Sequence, residues 1–208
     1  MDAEFLKTTL VTLFVAVDPP GLAAIFLALT GHMTAADRRS TAFHSVFVAT
    51  AVLCAMALVG QPVLEALGIS MPAFRIAGGL LLFYIAAEMV FEKREQRKNE
   101  TAEQTIAHDH FKTIATFPLA IPLMAGPGAI TATIIQASNT QGNTLNMLAL
   151  FGVLLLVMGS CLAVFLIANR IDRLLGMTGR IVLSRLLGLL LAALAVQIVG
   201  DGVTAFTG

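Results

Sequence analysis

Two short strings, Asp18-Pro19-Pro20-Gly21 and Gly126-Pro127-Gly128, lie in the middle of long apolar runs and permit chemistry there. Proline lacks an N–H, and its ring clashes with the carbonyl four residues back, so a helix reaching either string must break or kink. A new helix can start beyond each break. Asp18 suits its N-cap and Pro19 its first position; Pro127 suits the same first position ahead of Ala129-Ile130-Thr131. A helix start carries unpaired N–H groups and about half a positive charge. In a dry setting that makes an anion site, and a carboxylate is its natural guest. The candidate binding residues are Asp18, Pro19, Pro20, Gly21 and Leu22 from the first string, and Gly126, Pro127, Gly128, Ala129 and Thr131 from the second. Asp18, the only acid so deep in an apolar run, has three readings: it holds a substrate ammonium, takes up a proton, or only caps the following helix.

Other polar residues are weaker candidates. Thr133 and Gln136 follow the second break and could line a path. Arg75 and Arg185 each open an apolar run, as interface anchors or as gating pairs. Glu88 lies near the end of a run, where it could snorkel, and Gln197 holds a comparable place further on. His44 reads as a packed or interfacial side chain. The pair His108-Asp109-His110 has no thiol nearby and reads as a solvated loop, so no metal is expected. Around the breaks the residues are small (Gly21, Ala23, Ala24, Gly126, Gly128, Ala129), and the chain has no Trp and one Tyr. A small guest suits such a lining better than a bulky aromatic one.

The elements that hold these residues must be membrane helices. Of 208 residues, 57% are hydrophobic and 12% charged, and mean hydropathy is +0.86. A soluble domain carries about 25% charged residues, so this chain needs lipid as its solvent. Net charge is zero, which gives no hint of nucleic acid. Six apolar stretches are expected to span: 5–31, 40–61, 71–91, 113–138, 144–169 and 182–206. The first and fourth exceed the roughly 20 residues a straight span needs, and they hold the two Pro-Gly strings. The acidic start, Met-Asp-Ala-Glu, reads as the beginning of the first membrane helix rather than a signal peptide. Cys54 and Cys161 sit within apolar runs and read as packing residues.

Orientation follows from the cations. Arg38, Arg39, Lys93, Arg94, Arg97, Lys98, Lys112, Arg170, Arg173, Arg180 and Arg185 fall on one side; only Lys7 and Arg75 fall on the other. Eleven against two makes the first side cytoplasmic, with the polar loop 92–112 on it and both termini outside.

An internal repeat links the two halves. Arg75 aligns with Arg185, Gly78 with Gly188, and Glu88 with Gln197, with one gap at Gly79; Pro20-Gly21 aligns with Pro127-Gly128. The separations are about 110 and 107 residues, as one duplication requires. Three spans per half force the second half upside down. The expected fold is therefore an all-α membrane protein: one membrane domain over 1–208, with a first repeat of about 1–91, the loop, and a second repeat of about 113–208. Helices 1 and 4 are expected to break near the midplane, with their half-helix starts opposed. Inverted repeats with discontinuous helices are a plan of secondary transporters.

Three blocks carry a family resemblance: Val17–Gly21 with Ile25–Gly31, Gly68–Phe83 (GISMPAFRIAGGLLLF), and Pro118–Ile130 (PLAIPLMAGPGAI). In this order they resemble the MarC family of integral membrane proteins across nearly the whole chain. The resemblance implies six spans in two inverted repeats, a bacterial inner membrane, and transport of small neutral amino acids such as glycine and alanine, as described for some members. One departure is visible: Ala23-Ala24 stands where the family pattern has a further proline. The carboxylate of such a substrate would meet the two helix starts and its ammonium would meet Asp18. The alternatives are an exporter of another small metabolite and an aquaporin-like channel with opposed half-helices. An enzyme is not expected, since no HExxH, GxSxG or phosphate-loop motif occurs. Apart from a coupling proton or Na+, no cofactor is expected. The expected partners are the bilayer and the solute; the sequence leaves self-association open. Replacing Asp18 by Asn is expected to cut transport with expression intact, and unchanged kinetics would reduce Asp18 to a cap.

Overall fold

A computed structural model describes residues 3–94, 97 and 114–207. Among these residues the chain is all helical. Its elements are α1 (Ala3–Val17), α2 (Pro19–Thr30), α3 (Ala35–Ala66), α4 (Met71–Val90), α5 (Ala115–Met124), α6 (Pro127–Ser138), α7 (Thr144–Leu166) and α8 (Ala168–Thr207). Five continuous stretches are long and apolar enough to cross a membrane: Glu4–Thr30, α3, α4, α7 and Thr178–Thr207. The bent pair α5 and α6 makes a sixth.

Local sequence sets the boundaries. Thr34 accepts from the Asp37 N–H and starts α3, Ser70 accepts from the Ala73 N–H and starts α4, and Asn143 accepts from the Leu145 and Asn146 N–H groups and starts α7. Gly176 (φ 56°) interrupts α8 ahead of its membrane portion. Asp18 caps α2 and Pro19 takes its first position, as expected.

The two predicted breaks differ in degree. Between α5 and α6 the chain turns by 59°. Within α5, Phe117 and Ile121 are extended, because each precedes a proline whose ring disfavours the helical region for its neighbour. The break of the first span is gentler than expected. Asp18 adopts the left-handed conformation (φ 62°), yet its N–H bonds the Phe14 carbonyl and its carbonyl receives the Leu22 N–H. Those two bonds carry the turn across the break, so α1 and α2 continue as one 27-residue span.

That span lies at the centre: 61% of its most apolar window is buried, against 28% for α3 and for α8. Around it, α3 packs on α5 and α6, while α7 packs on α1 and α2; α4 packs on α6, and α8 on α2. The outer faces expose large apolar side chains, such as Phe47, Leu58, Tyr84, Leu148, Leu155, Leu189 and Val196, which need lipid around them. The His108-Asp109-His110 string and Lys112 lie outside the described residues.

The most extensive helix contact is between α4 and α8, and glycine makes it close. A Cβ on Gly188 would stand 2.8 Å from the Met89 Cβ and 3.0 Å from the Ala86 carbonyl oxygen. Without a hydrophobic force between helices in lipid, such close approach is a main source of cohesion. Gly188→Ala is expected to destabilise the protein by about 1–3 kcal/mol through overpacking. Gly200→Ala, where no heavy atom stands within 4 Å, is expected to be neutral. Melting curves in a single detergent compare the two; equal curves would remove this contact as a source of stability.

Candidate functional site

The prolines of the first string act first on carbonyls. In an α-helix Ala16 O would receive the N–H of residue 20, and Pro20 has none. The carbonyl is instead taken by Arg94, whose Nη2 donates to Ala16 O at 2.8 Å. Arg94 is buried, with only 6% of its surface exposed. Its other amino group, Nη1, sits 2.9 Å from Met89 Sδ. Burial lowers the pKa of this guanidinium from its ordinary value, Asp18 raises it, Arg97 lowers it and Glu88 raises it. An arginine nonetheless stays charged.

Arg97 stands beside it and donates from Nη1 to Glu88 Oε1 at 3.0 Å, while Nη2 and Oε2 make an ion-pair contact at 2.9 Å. The Glu88 side chain is 7% exposed and that of Arg97 53%, so the pair runs from the protein interior to its surface. Two-point arginine–carboxylate contact fixes direction as well as distance.

The second string supplies the opposite wall. Gly126 is the N-cap of α6 and offers no side chain, and Pro127 fills the first position. The N–H groups of Gly128 and Ala129 therefore head the helix with no carbonyl behind them. Sterics account for the glycines: a Cβ on Gly126 would collide with the Pro122 carbonyl oxygen, and one on Gly128 would stand 2.6 Å from Ile85 Cδ1. Between this helix start and the two arginines lies a cavity of about 250 Å³, lined also by Ala16, Ile85 and the end of α5. It joins two guanidinium groups to a positive helix terminus.

The other helix start is built differently. Asp18 accepts the Gly21 N–H at 3.2 Å, and its carboxylate fills the space where a Gly21 side chain would stand. Asp18, Pro20 and Gly21 line a cleft too tight for a water molecule, shared with Arg180, Leu183 and Ser184. Among the described residues, neither hollow is lined by both helix starts. The two helix starts thus line different hollows here, where opposed half-helices were expected to share one; Asp18 caps the first start, while Gly126 leaves the second open.

Of the remaining candidates, Leu22 and Pro19 are core residues, and Thr131 packs on Gly78 of α4. Arg75 donates to Asn139 Oδ1 at 2.7 Å and ties α4 to the end of α6. Arg185 pairs with Glu92. Gln197 is exposed and donates to Asp201 one turn along α8. Thr133 donates to Ala129 O within α6, and Gln136 accepts the Thr9 hydroxyl at 3.1 Å. His44 is exposed. Among the described residues, none of these lines the cavity at the start of α6. Among the described residues no cluster of His, Cys, Asp and Glu could hold a metal ion.

Sequence reading missed Arg94 and Arg97, which it placed among loop cations. A signal existed: Glu88 stands inside the end of an apolar run, and the nearest cations along the chain begin at Lys93.

Residues 3–207 match the family described as MarC family integral membrane protein. The UPF0056 membrane protein YhcE of Escherichia coli is 35% identical over 92% of this chain and 88% of its own length. The UPF0056 membrane protein MJ1677 of Methanocaldococcus jannaschii is 34% identical over 98% of both chains, and PH0760 of Pyrococcus horikoshii is 31% identical over 99% and 98%. No solved structure matches the chain. With a family match over nearly its full length and relatives of this similarity, the chain belongs to the MarC family of integral membrane proteins.

Proposed function

We propose that the protein is a secondary transporter for a small solute bearing a carboxylate, with small neutral amino acids as the first class to test. One observation carries the reading: the uncapped start of α6 faces Arg94 and Arg97 across a cavity of about 250 Å³. That is below the range of about 300–1,000 Å³ that holds drug-sized ligands, so the guest is small. The carboxylate would lie between the Gly128 and Ala129 N–H groups and the guanidinium groups, where charge-assisted bonds are strongest. For a zwitterion, the Ala16 carbonyl keeps a second lone pair for the ammonium, and Asp18 stands near through its influence on Arg94.

The inverted repeat belongs to this reading. Its support is the reciprocal packing, in which α3 of the first half grips the broken pair α5 and α6, and α7 of the second half grips α1 and α2. A common pattern joins α4 to α6 and α8 to α2. On the charge bias of the loops, both termini face outward and the arginine pair approaches from the cytoplasmic side of a bacterial inner membrane. The coupling ion of this reading is a proton or Na+, which the gradients in the flux assay tell apart. An aquaporin-like channel with opposed half-helices is the second reading; its uncoupled, non-saturable flux would separate it from a transporter.

Proteoliposome flux tests the reading, with labelled glycine, alanine and serine, with and without a proton or Na+ gradient. Saturable flux of one of them is expected. Arg94→Gln is expected to lower it about ten- to a hundredfold, the value of a hydrogen bond to a charged group. Arg185→Gln, outside the cavity, should stay near wild type. No saturable flux of any amino acid would remove that substrate class, and equal rates in the two variants would remove the cavity as the site.

A further inference from the structure

A second cavity, of about 260 Å³, lies where α2 and α7 end and α3 and α8 begin, and among the described residues it shares no lining residue with the first. Its floor is apolar: the rings of Phe26 and Phe165 stack there with centroids 4.4 Å apart. Arg38, Arg39 and Asn169 supply its polar lining, and no Asp or Glu is among the described lining residues.

Both arginines stand near the start of α3, where the positive end of a helix disfavours cations. Arg38 spends one amino group on the Thr30 carbonyl, at 3.1 Å, while its Nε is buried with no hydrogen-bond partner. The Arg39 guanidinium stands 5.7 Å from the centre of the Phe43 ring. Below the rim, Phe43, Phe47 and Leu166 expose their side chains to the surrounding lipid. The cavity thus combines an excess of positive charge at the end of four helices with an apolar floor and an apolar track leading along α3.

We infer that this cavity is a binding site for an anionic phospholipid, its phosphodiester on Arg38 and Arg39 and its glycerol and upper acyl carbons over Phe26, Leu27 and Leu166. Basic pockets between transmembrane helices on the cytoplasmic side take anionic headgroups for this reason. A free phosphate satisfies the arginines but has no use for the apolar floor or for the track past Phe43 and Phe47. The inference stands on the chain's place in the membrane and does not need the transport reading.

Native mass spectrometry of the full chain from mixed phosphatidylglycerol and phosphatidylcholine micelles tests it. Retention of phosphatidylglycerol over phosphatidylcholine is expected. Arg39→Gln, an exposed change that leaves the Arg38–Thr30 bond intact, should weaken that retention about five-fold, as roughly 1 kcal/mol per surface arginine implies. Arg39→Lys should preserve it. Ala42→Phe, which keeps both charges and fills the floor, should also lose the lipid. Equal retention of the two lipids, or an Arg39→Gln protein with unchanged preference, would overturn the inference. So would competition by millimolar inorganic phosphate with no dependence on Ala42, which would leave a free-anion site only.

Discussion

A carbonyl without a donor, in the apolar middle of a membrane protein, is the constraint from which the rest of the structure follows. Pro20 denies Ala16 O its helical partner. An unpaired buried carbonyl costs about 1–3 kcal/mol or more, so another part of the chain must reach it. Arg94 does, from beyond the end of α4. Once a guanidinium is buried there, its charge needs company. The carbonyl end of α1 supplies a partial negative charge, and Asp18 and Glu88 supply full ones. Arg97 then binds Glu88 and carries the network outward.

The two breaks share a sequence pattern and differ in outcome because of one residue at each. Asp18 can fold its carboxylate back onto the helix it precedes, and it tolerates the left-handed backbone that lets the hydrogen-bond run continue. Gly126 has no side chain to fold back, and the Pro122 carbonyl forbids it one. The start of α2 is satisfied within its own stretch of sequence, whereas the start of α6 must find its partner across the cavity. Of the two helix starts, one is therefore capped and the other open.

Much of this was legible in the sequence, and the reasons differ by residue. The spans follow from long apolar runs, and helix starts follow from Asp18, Pro19 and Pro127, because capping is local chemistry. The family follows from strings such as PLAIPLMAGPGAI, long enough to be specific. What stayed hidden depends on contacts distant in sequence. Arg94 reads as a loop cation until α4 is placed beside the break it fills, 78 residues earlier. Likewise, a Pro-Pro pair announces a break but not its angle. Whether Asp18 bridges it is decided by φ and ψ, which no neighbour in the sequence dictates.

Electrostatic balance separates the cavity at α6 from a merely capped helix end. Arg94 is favourable at the carbonyl end of α1, where dipole and charge have opposite signs. The same arginine faces the start of α6, where they have the same sign, and Arg97 adds to the mismatch. Glu88 answers part of it, yet its two oxygens are directed at Arg97 and away from the helix start. Position 126 cannot supply a capping carboxylate or hydroxyl, because the neighbouring Pro122 carbonyl excludes any side chain there. The fold thus sets three positive groups around one hollow: the buried Arg94, the helix start, and Arg97, whose charge is half-exposed and shared with Glu88. On the transport reading proposed above, an anion entering that hollow would relieve part of the repulsion among them and gain the helix N–H groups at once, so Arg94, Arg97 and the start of α6 would act together rather than singly.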